Sequence, residues 1–231
     1  MTKNIELSVG EIVANDFRAA SIFKKAGIDF CCGGKMSLTQ ACKEKSIDTL
    51  TIENELIELE MTPQSLTQNF KEWNLDFLCD YIVNTHHKFV LKTLPELIFF
   101  TQKIADVHGD FHPELIEIAA IFKNINDELL QHLKKEEEIL FPAIKNVLKN
   151  NSKEIKSLII SEIERMSGEH EFAGGAMDKI NVITQNYSLP NDACNSYKVT
   201  FKLLEQFEDD LHIHVHLENN ILYPKALNLA N

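Results

Sequence analysis

Two stretches of the chain repeat one pattern. His132-Leu-Lys-Lys-Glu136-Glu-Glu-Ile139-Leu140-Phe141-Pro142 and His214-Val-His-Leu-Glu218-Asn-Asn-Ile221-Leu222-Tyr223-Pro224 both read H-x-x-x-E-x-x-I-L-[F/Y]-P. On an α-helix, His and Glu four apart stand one above the other on a single face. The Ile, Leu and aromatic positions then continue inward, so that face is expected to meet a core. Upstream, His87 and His170 precede His132 and His214 by intervals that differ by one residue. The chain is therefore expected to hold one helical hairpin twice, each copy supplying His, His and Glu.

Apolar residues recur at spacings of three and four throughout, with no sustained apolar–polar alternation, which predicts an all-α fold. Only 8 Gly and 6 Pro in 231 residues imply few turns and long elements. Ser8 is expected to cap a helix through Phe23 that stops at Gly27. Phe30-Cys31-Cys32-Gly33-Gly34-Lys35 cannot be helix interior. Ser37 starts a short helix and Ile47 to Glu60 forms another. The polar stretch after Thr62 reads as a linker. The expected division is a small helical domain at 1–62, a linker at 63–73 and a four-helix bundle at 74–231. The four long segments run from Asn74 to Val107, Pro113 to Leu148, Lys153 to Asn186 and Ser196 to Leu229, and their short connections predict antiparallel packing. Pro142 and Pro224 should bend or interrupt their helices, because each ring blocks one backbone hydrogen bond.

The net charge of −12 leaves no broad electrostatic footprint for nucleic acid or an anionic membrane. No apolar run approaches the roughly 18 residues of a membrane span, and acids near the start replace the apolar stretch of a signal peptide. A cytoplasmic location is expected. Five cysteines, an odd number, do not form a disulfide framework.

Two carboxylates buried in a bundle are costly unless a cation neutralises them. Four imidazoles and two carboxylates suit a pair of iron, manganese or zinc ions, and a lone structural zinc would need only four ligands. The set carries more histidine than the Glu/Glu-x-x-His arrangement of ferritin-like bundles. His87 is preferred as the first donor, although His86 beside it has nearly the same interval; the two point about 100° apart on an ideal helix. His108 and His112 are expected at a helix connection. His212 and His216 flank His214 on other faces, as outer-lying or surface groups, and Glu169 is expected either to support a metal ligand from behind or to lie on a solvated face.

These motifs resemble the RIC family, the di-iron proteins that repair iron–sulfur clusters after nitrosative and oxidative stress. The likeness spans nearly the whole chain: Asp29-Phe30-Cys31-Cys32-Gly33-Gly34-Lys35, His87 before Leu94-Pro95-Glu96-Leu97, the two His–Glu repeats, Glu169-His170, and Asn219-Asn220 after Glu218. It implies a hemerythrin-like bundle with two non-haem iron ions. These would be ligated by His87, His132, His170 and His214 and bridged by Glu136, Glu218 and an oxo or hydroxo group. It also implies a homodimer, damaged iron–sulfur proteins as partners, and NO or O2 at the metal site. Tyr223, where the family usually has Phe, reads as conservative. Cys31 and Cys32 are expected to serve thiol chemistry or the transfer of metal or nitrosyl, with Lys35 and the helix start near Ser37 lowering a thiol pKa. Two functions stay open at this level: iron donation to a damaged cluster, and reduction of NO to nitrous oxide. Oxygen or NO sensing is a weaker third.

Overall fold

The computed structural model describes residues 7–62, 69–150 and 152–230; residues 63–68 of the expected linker lie outside these. The first part holds four short helices, α1 (Val9–Asn15), α2 (Ala19–Lys25), α3 (Leu38–Glu44) and α4 (Thr49–Met61). Ser8 opens α1 with a capping box: its hydroxyl accepts the Glu11 N–H at 3.2 Å, and the Glu11 carboxylate accepts the Ser8 N–H at 2.8 Å. The single helix expected from Ser8 to Phe23 is instead broken at Asp16, whose backbone is extended (φ −142°, ψ 101°). The Asp16 carboxylate competes successfully for local donors. It accepts the Arg18 N–H at 3.1 Å and pairs with the Arg18 guanidinium at 2.6 Å. Arg18 also donates to the carbonyls of Leu59 and Thr62, pinning the break to the end of α4. Gly27 (φ +66°) ends the second half, as a left-handed residue past a helix should. Ser37 and Asp48 cap α3 and α4.

Four long rods follow. The first joins α5 (Leu75–Ile82) to α6 (Lys88–His108), and the second joins α7 (Glu114–Lys135) to α8 (Phe141–Val147). The third is the uninterrupted α9 (Lys153–Ile183), capped by Ser152, and the fourth joins α10 (Asn195–Leu217) to α11 (Tyr223–Ala230). Helix α6 packs on α7, α7 on α9, α9 on α10 and α11, and α10 back on α6, which closes a bundle. Among the described residues there are no strands, only an isolated bridge between Ser8 and Ser37.

The jointed rods share one device. A π turn occupies Val83–His87, Glu136–Leu140 and Glu218–Leu222. In the last two the turn immediately precedes the proline position. Phe141 N–H bonds to Glu136 O and Tyr223 N–H to Glu218 O, five residues back. A proline at the second position after the turn has no N–H to give and crowds the carbonyl four residues earlier. Widening the turn by one residue relieves both and keeps the rod continuous, so the expected interruption takes the form of a π turn. Pro95, by contrast, sits within a continuous α6.

The apolar core is split. One cluster contains Val90, Leu94, Leu129, Leu133, Ala173, Met177, Leu211 and Val215 together with the buried residues of α1–α4. The other contains Leu78, Ile82, Leu140, Phe141, Ile163, Met166, Ile221 and Leu222. In each rod a His or His–Glu pair falls between the two clusters. The first four helices pack on the bundle of their own chain. Asn220 Nδ2 donates to the carbonyls of Phe30 and Cys31, each at 3.1 Å, and Phe30 meets His216 edge-on at 5.7 Å. Lys24 pairs with Asp209 across the seam.

This seam leaves no room at Gly34. A Cβ there would lie 2.4 Å from Asn220 Oδ1 and 2.8 Å from Phe30 O. Gly34→Ala is expected to destabilise the chain by about 1–3 kcal/mol through overpacking, read as a lowered thermal midpoint. An unchanged midpoint would show that the seam yields freely.

Candidate metal centre

The six expected donors converge in the polar layer between the two apolar clusters. His87, His132, Glu136, His170, His214 and Glu218 are each at most 2% exposed. They form two quartets that share both carboxylates, His87–Glu136–His214–Glu218 and His132–Glu136–His170–Glu218, with the donor atoms of each within 4.8 Å of one another. Glu136 Oε2 lies 3.4 Å from His87 Nε2 and 3.2 Å from His132 Nε2. Glu218 reaches His214 Nε2 through Oε1 and His170 Nε2 through Oε2, both at 3.1 Å. The π turns carry three of the six: His87 ends one, and Glu136 and Glu218 each begin one.

The duplicated sequence produces a duplicated shell. The residue after each Glu holds the histidine of the preceding rod: Glu137 Oε1 lies 2.8 Å from His87 Nδ1, and Asn219 Oδ1 lies 2.9 Å from His170 Nδ1. The aromatic residue of each repeat stacks on that same histidine, Phe141 on His87 at 5.7 Å and Tyr223 on His170 at 5.9 Å. The residue before the upstream histidine covers the histidine of the repeat. Glu169 lies 2.8 Å from His132 Nδ1 and is also paired with Lys135, whereas His86 stacks on His214 at 5.5 Å. His86 is thus the counterpart of Glu169. Its Nδ1 turns to Asp210 at 2.9 Å, and it belongs to neither quartet.

The twofold likeness breaks at Tyr223. Its hydroxyl donates to Glu136 Oε1 at 2.6 Å, a bond that Phe141 cannot make to Glu218. The exchange of Phe for Tyr, expected to be conservative, adds a buried donor to a buried carboxylate. The sequence reading gave Glu137 no role and noted Asn219 and Tyr223 without assigning either a contact, although each stands at a matching place in the repeat. Of the two readings open for Glu169, the structure shows the one in which it supports His132. His216 is fully buried, so its surface alternative does not hold; it packs against Phe17 and Phe30.

The donor set fits a metal. With Nδ1 of His87, His132 and His170 directed at oxygen acceptors, each ring presents an Nε2 lone pair to the interior. His132 Nε2 and His170 Nε2 face each other at 3.1 Å. Among the described residues, His87 Nε2, Glu136 Oε2 and Glu218 Oε2 are buried and make no hydrogen bond of normal geometry, although imidazole nitrogens stand 3.1–3.4 Å from the two carboxylate oxygens. Buried polar atoms require partners, and here several lone pairs need the same one.

Protons are the alternative counter-charge. Burial pushes His87 and His132 down, but Glu136 and Glu218 outweigh it beside His87, as do Glu136, Glu169 and Glu218 beside His132. Both imidazoles are raised to about 10. Burial and Glu218 push Glu136 up, yet His132 and His87 hold it down at about 2. Burial keeps the His214 imidazole below its ordinary value.

The Cys31–Cys32 loop sits at the rim of this layer. The Asp29 carboxylate accepts the N–H groups of Cys31, Cys32 and Gly33 at 2.8, 3.0 and 2.7 Å. The Cys31 thiol is buried and raised well above the ordinary thiol range by the neighbouring Cys32, by burial and by Asp29. The expected activation by Lys35 and the helix start near Ser37 is therefore overturned for Cys31. Cys32 is half-buried, and its Sγ lies 3.5 Å from the carbonyl of His170.

Comparison with known proteins agrees with this architecture. The profile of the ScdA_N domain, described as a domain of unknown function, matches residues 5–60. That of the hemerythrin HHE cation-binding domain matches residues 80–226. The iron–sulfur cluster repair protein YtfE of Musicola paradisiaca is 36% identical over 222 residues, covering 96% of each chain. ScdA of Staphylococcus epidermidis, which bears the same description, is 33% identical over 219 residues, 94% of this chain and 96% of its own. The chain belongs to the iron–sulfur cluster repair family. Its cation-binding domain is the bundle, and the layer of His and Glu described above lies within the matched span.

Two tests address this layer. In chelated protein, the protonated His87 and His132 contribute stability that is complete below their unfolded value near 6.5 and is lost as pH rises through about 10. The Glu136 contribution is present above about 4.5 and lost as pH falls through about 2. The urea midpoint of chelated protein should fall between pH ~6 and ~10, and His132→Gln should shrink that fall; an equal fall in both would mean His132 is not charged. Separately, Tyr223→Phe strips a donor from a buried carboxylate and should cost about 1–3 kcal/mol in urea unfolding of the chelated protein. An unaltered midpoint would show that the hydroxyl contributes nothing.

Proposed function

We propose that His87, His132, His170 and His214, with Glu136 and Glu218 spanning both quartets, hold two iron ions, and that the chain donates iron to iron–sulfur clusters damaged by oxidative or nitrosative stress. The observation that carries this reading is the pair of quartets sharing two carboxylates. Two shared oxygen donors and four imidazoles make two adjacent sites, each with fewer protein donors than an octahedral ion takes. Iron bound there would supply open positions for a diatomic such as NO or O2 and electrons from the reduced state. The protein groups set the terms. Glu137, Glu169 and Asn219 fix the tautomer and tilt of three imidazoles, and such supports are worth about 10–100-fold in metal affinity. Glu136 divides its oxygens between Tyr223 and the interior, whereas Glu218 offers both oxygens inward. A carboxylate that already serves a second donor is a weaker ligand, which favours a releasable ion.

Release needs an acceptor. The contact of Cys32 with the backbone of His170 supports a part for Cys31 and Cys32 in passing iron to a damaged partner protein. Relatives described as iron–sulfur cluster repair proteins, matched over nearly their full length, support this destination. No helix among the described residues is long and apolar enough to cross a membrane. A cytoplasmic homodimer is the setting we propose.

Metal analysis of the purified chain should find about two iron ions, and Glu136→Ala or Glu218→Ala should lower that content together with repair activity. One zinc ion per chain would overturn the centre. Protein loaded with isotopically labelled iron, mixed with an NO-damaged iron–sulfur enzyme, should deliver the label into the rebuilt cluster. Cys31→Ser/Cys32→Ser should load normally but deliver poorly. Label retained on the donor while the client recovers would overturn iron donation.

A further inference from the structure

Outside the bundle centre, a cleft of about 710 Å³ opens between the Cys31–Cys32 loop and the outer faces of α9 and α10. Its floor holds Asp178 from α9 with Glu208 and His212 from α10, and one donor atom of each lies within 4.8 Å of the others. Glu208 and His212 stand four apart, the same helical spacing that brings His and Glu together in the main centre. Asp29, Cys31 and Cys32 form a second cluster of donors lining the same cleft. Lys24 and Lys45 also line it, and Lys24 is engaged by Asp209.

Two features of the floor are unexplained by packing. Glu208 is only 3% exposed, and although Asn181 Nδ2 donates to its Oε2 at 3.1 Å, no cationic side chain among the described residues forms an ion pair with it. Tyr187 is 8% exposed, and its hydroxyl lies beside Glu208 and Asn181 without making a hydrogen bond of normal geometry. Tyr187 is the last of three consecutive residues with left-handed backbone, Gln185, Asn186 and Tyr187 (φ 51°, 58° and 56°). Such residues each cost free energy that the surroundings must offset, and here they set the phenol against Glu208. A buried carboxylate held by neutral donors alone, at the floor of a cleft, is short of counter-charge.

We propose that Asp178, Glu208 and His212 form a mononuclear site for a divalent first-row transition-metal ion, separate from the six-donor centre and facing the two thiols across the cleft. Two carboxylates and one imidazole are a hard-to-borderline set that suits Fe(II) or Mn(II) and leaves positions for water. The site draws donors from a different face of α10 than His214 does, and it does not depend on the reading of the main centre.

Mn(II) is the probe. The full chain, preloaded with iron, is titrated with Mn(II) and free ion is followed by its six-line paramagnetic resonance signal. One further Mn(II) per chain should disappear from the signal, and Asp178→Asn or Glu208→Gln should weaken that uptake at least tenfold. Asp178 is exposed, so its variant tests the site without a core change. His132→Ala, which removes a donor of the main centre, should keep the cleft uptake. Equal uptake by wild type and Asp178→Asn, or loss of uptake in His132→Ala, overturns the proposal. Failure of the chain to hold iron, with cleft uptake still lost in Asp178→Asn, would overturn the main centre alone.

Discussion

Two carboxylates with no exposure, Glu136 and Glu218, face each other inside a bundle otherwise filled by Leu, Ile, Met and Phe. Their charge must be cancelled where it stands, because removing an ion from water costs several kcal/mol that only a close counter-charge repays. Protons on the surrounding imidazoles can do part of this. A doubly protonated His132 is satisfied on both sides, by Glu169 at Nδ1 and Glu136 at Nε2. His170, with its Nδ1 N–H directed at Asn219 Oδ1, offers a lone pair at Nε2, which stands 3.1 Å from His132 Nε2. Four rings cannot all point protons inward at that spacing. Cations can serve all four lone pairs at once, so the arrangement of acceptors behind the rings selects metal over protons.

The same constraint explains why the core is divided. A polar layer that holds metal must be sealed from water above and below, and each rod supplies an apolar residue on either side of its donor: Ile82 and Val90 around His87, Met166 and Ala173 around His170. The π turns follow from it too. At Glu136–Leu140 and Glu218–Leu222 the extra residue adjusts the rod between its His–Glu face and the apolar residues that follow, and the proline after each fixes where this happens; Leu140, Phe141, Ile221, Leu222 and Tyr223 look inward, whereas Ile139, expected inward, is exposed. Tyr223 then departs from the twofold scheme at one atom. With one oxygen of Glu136 committed to a phenol, the two carboxylates are no longer equivalent, and a centre built from nearly identical halves becomes polarised.

Much of this was legible in the sequence. The two repeats carry four of the six donors and the matching intervals point to the other two, caps at Ser8 and Ser37 mark true helix starts, and Gly27 marks a true end. The remainder was hidden for identifiable reasons. The break at Asp16 depends on Arg18 reaching carbonyls on α4, a contact distant in sequence. Periodicity at 3.6 residues does not register a single wide turn, so the prolines were read as interruptions. Glu137 and Asn219 look like solvated polar positions until the bundle closes and turns them onto histidines of another rod. The Cys31 thiol was judged from Lys35 and a helix start, whereas its surroundings are set by Asp29, Cys32 and burial, all of which oppose ionisation.

The adjacent residues Asn219 and Asn220 join the two parts of the chain. They occupy one π turn and face opposite ways: Asn219 holds His170 Nδ1, and Asn220 holds the carbonyls of Phe30 and Cys31. Cys32 Sγ meets the carbonyl of that same His170. The thiol loop is therefore fastened at two points to the elements that carry Glu218 and His170. A loop tethered only to solvent-facing helix could drift without consequence for the centre. This one shares its anchors with the donors, so the position of the thiols and the geometry of one half of the centre are set by the same few hydrogen bonds. That half is also the one whose histidine lies under Tyr223, the residue that distinguishes the two carboxylates. Thiols, tethers and the broken symmetry thus meet on one side of the layer, where the Cys31–Cys32 loop lines the cleft.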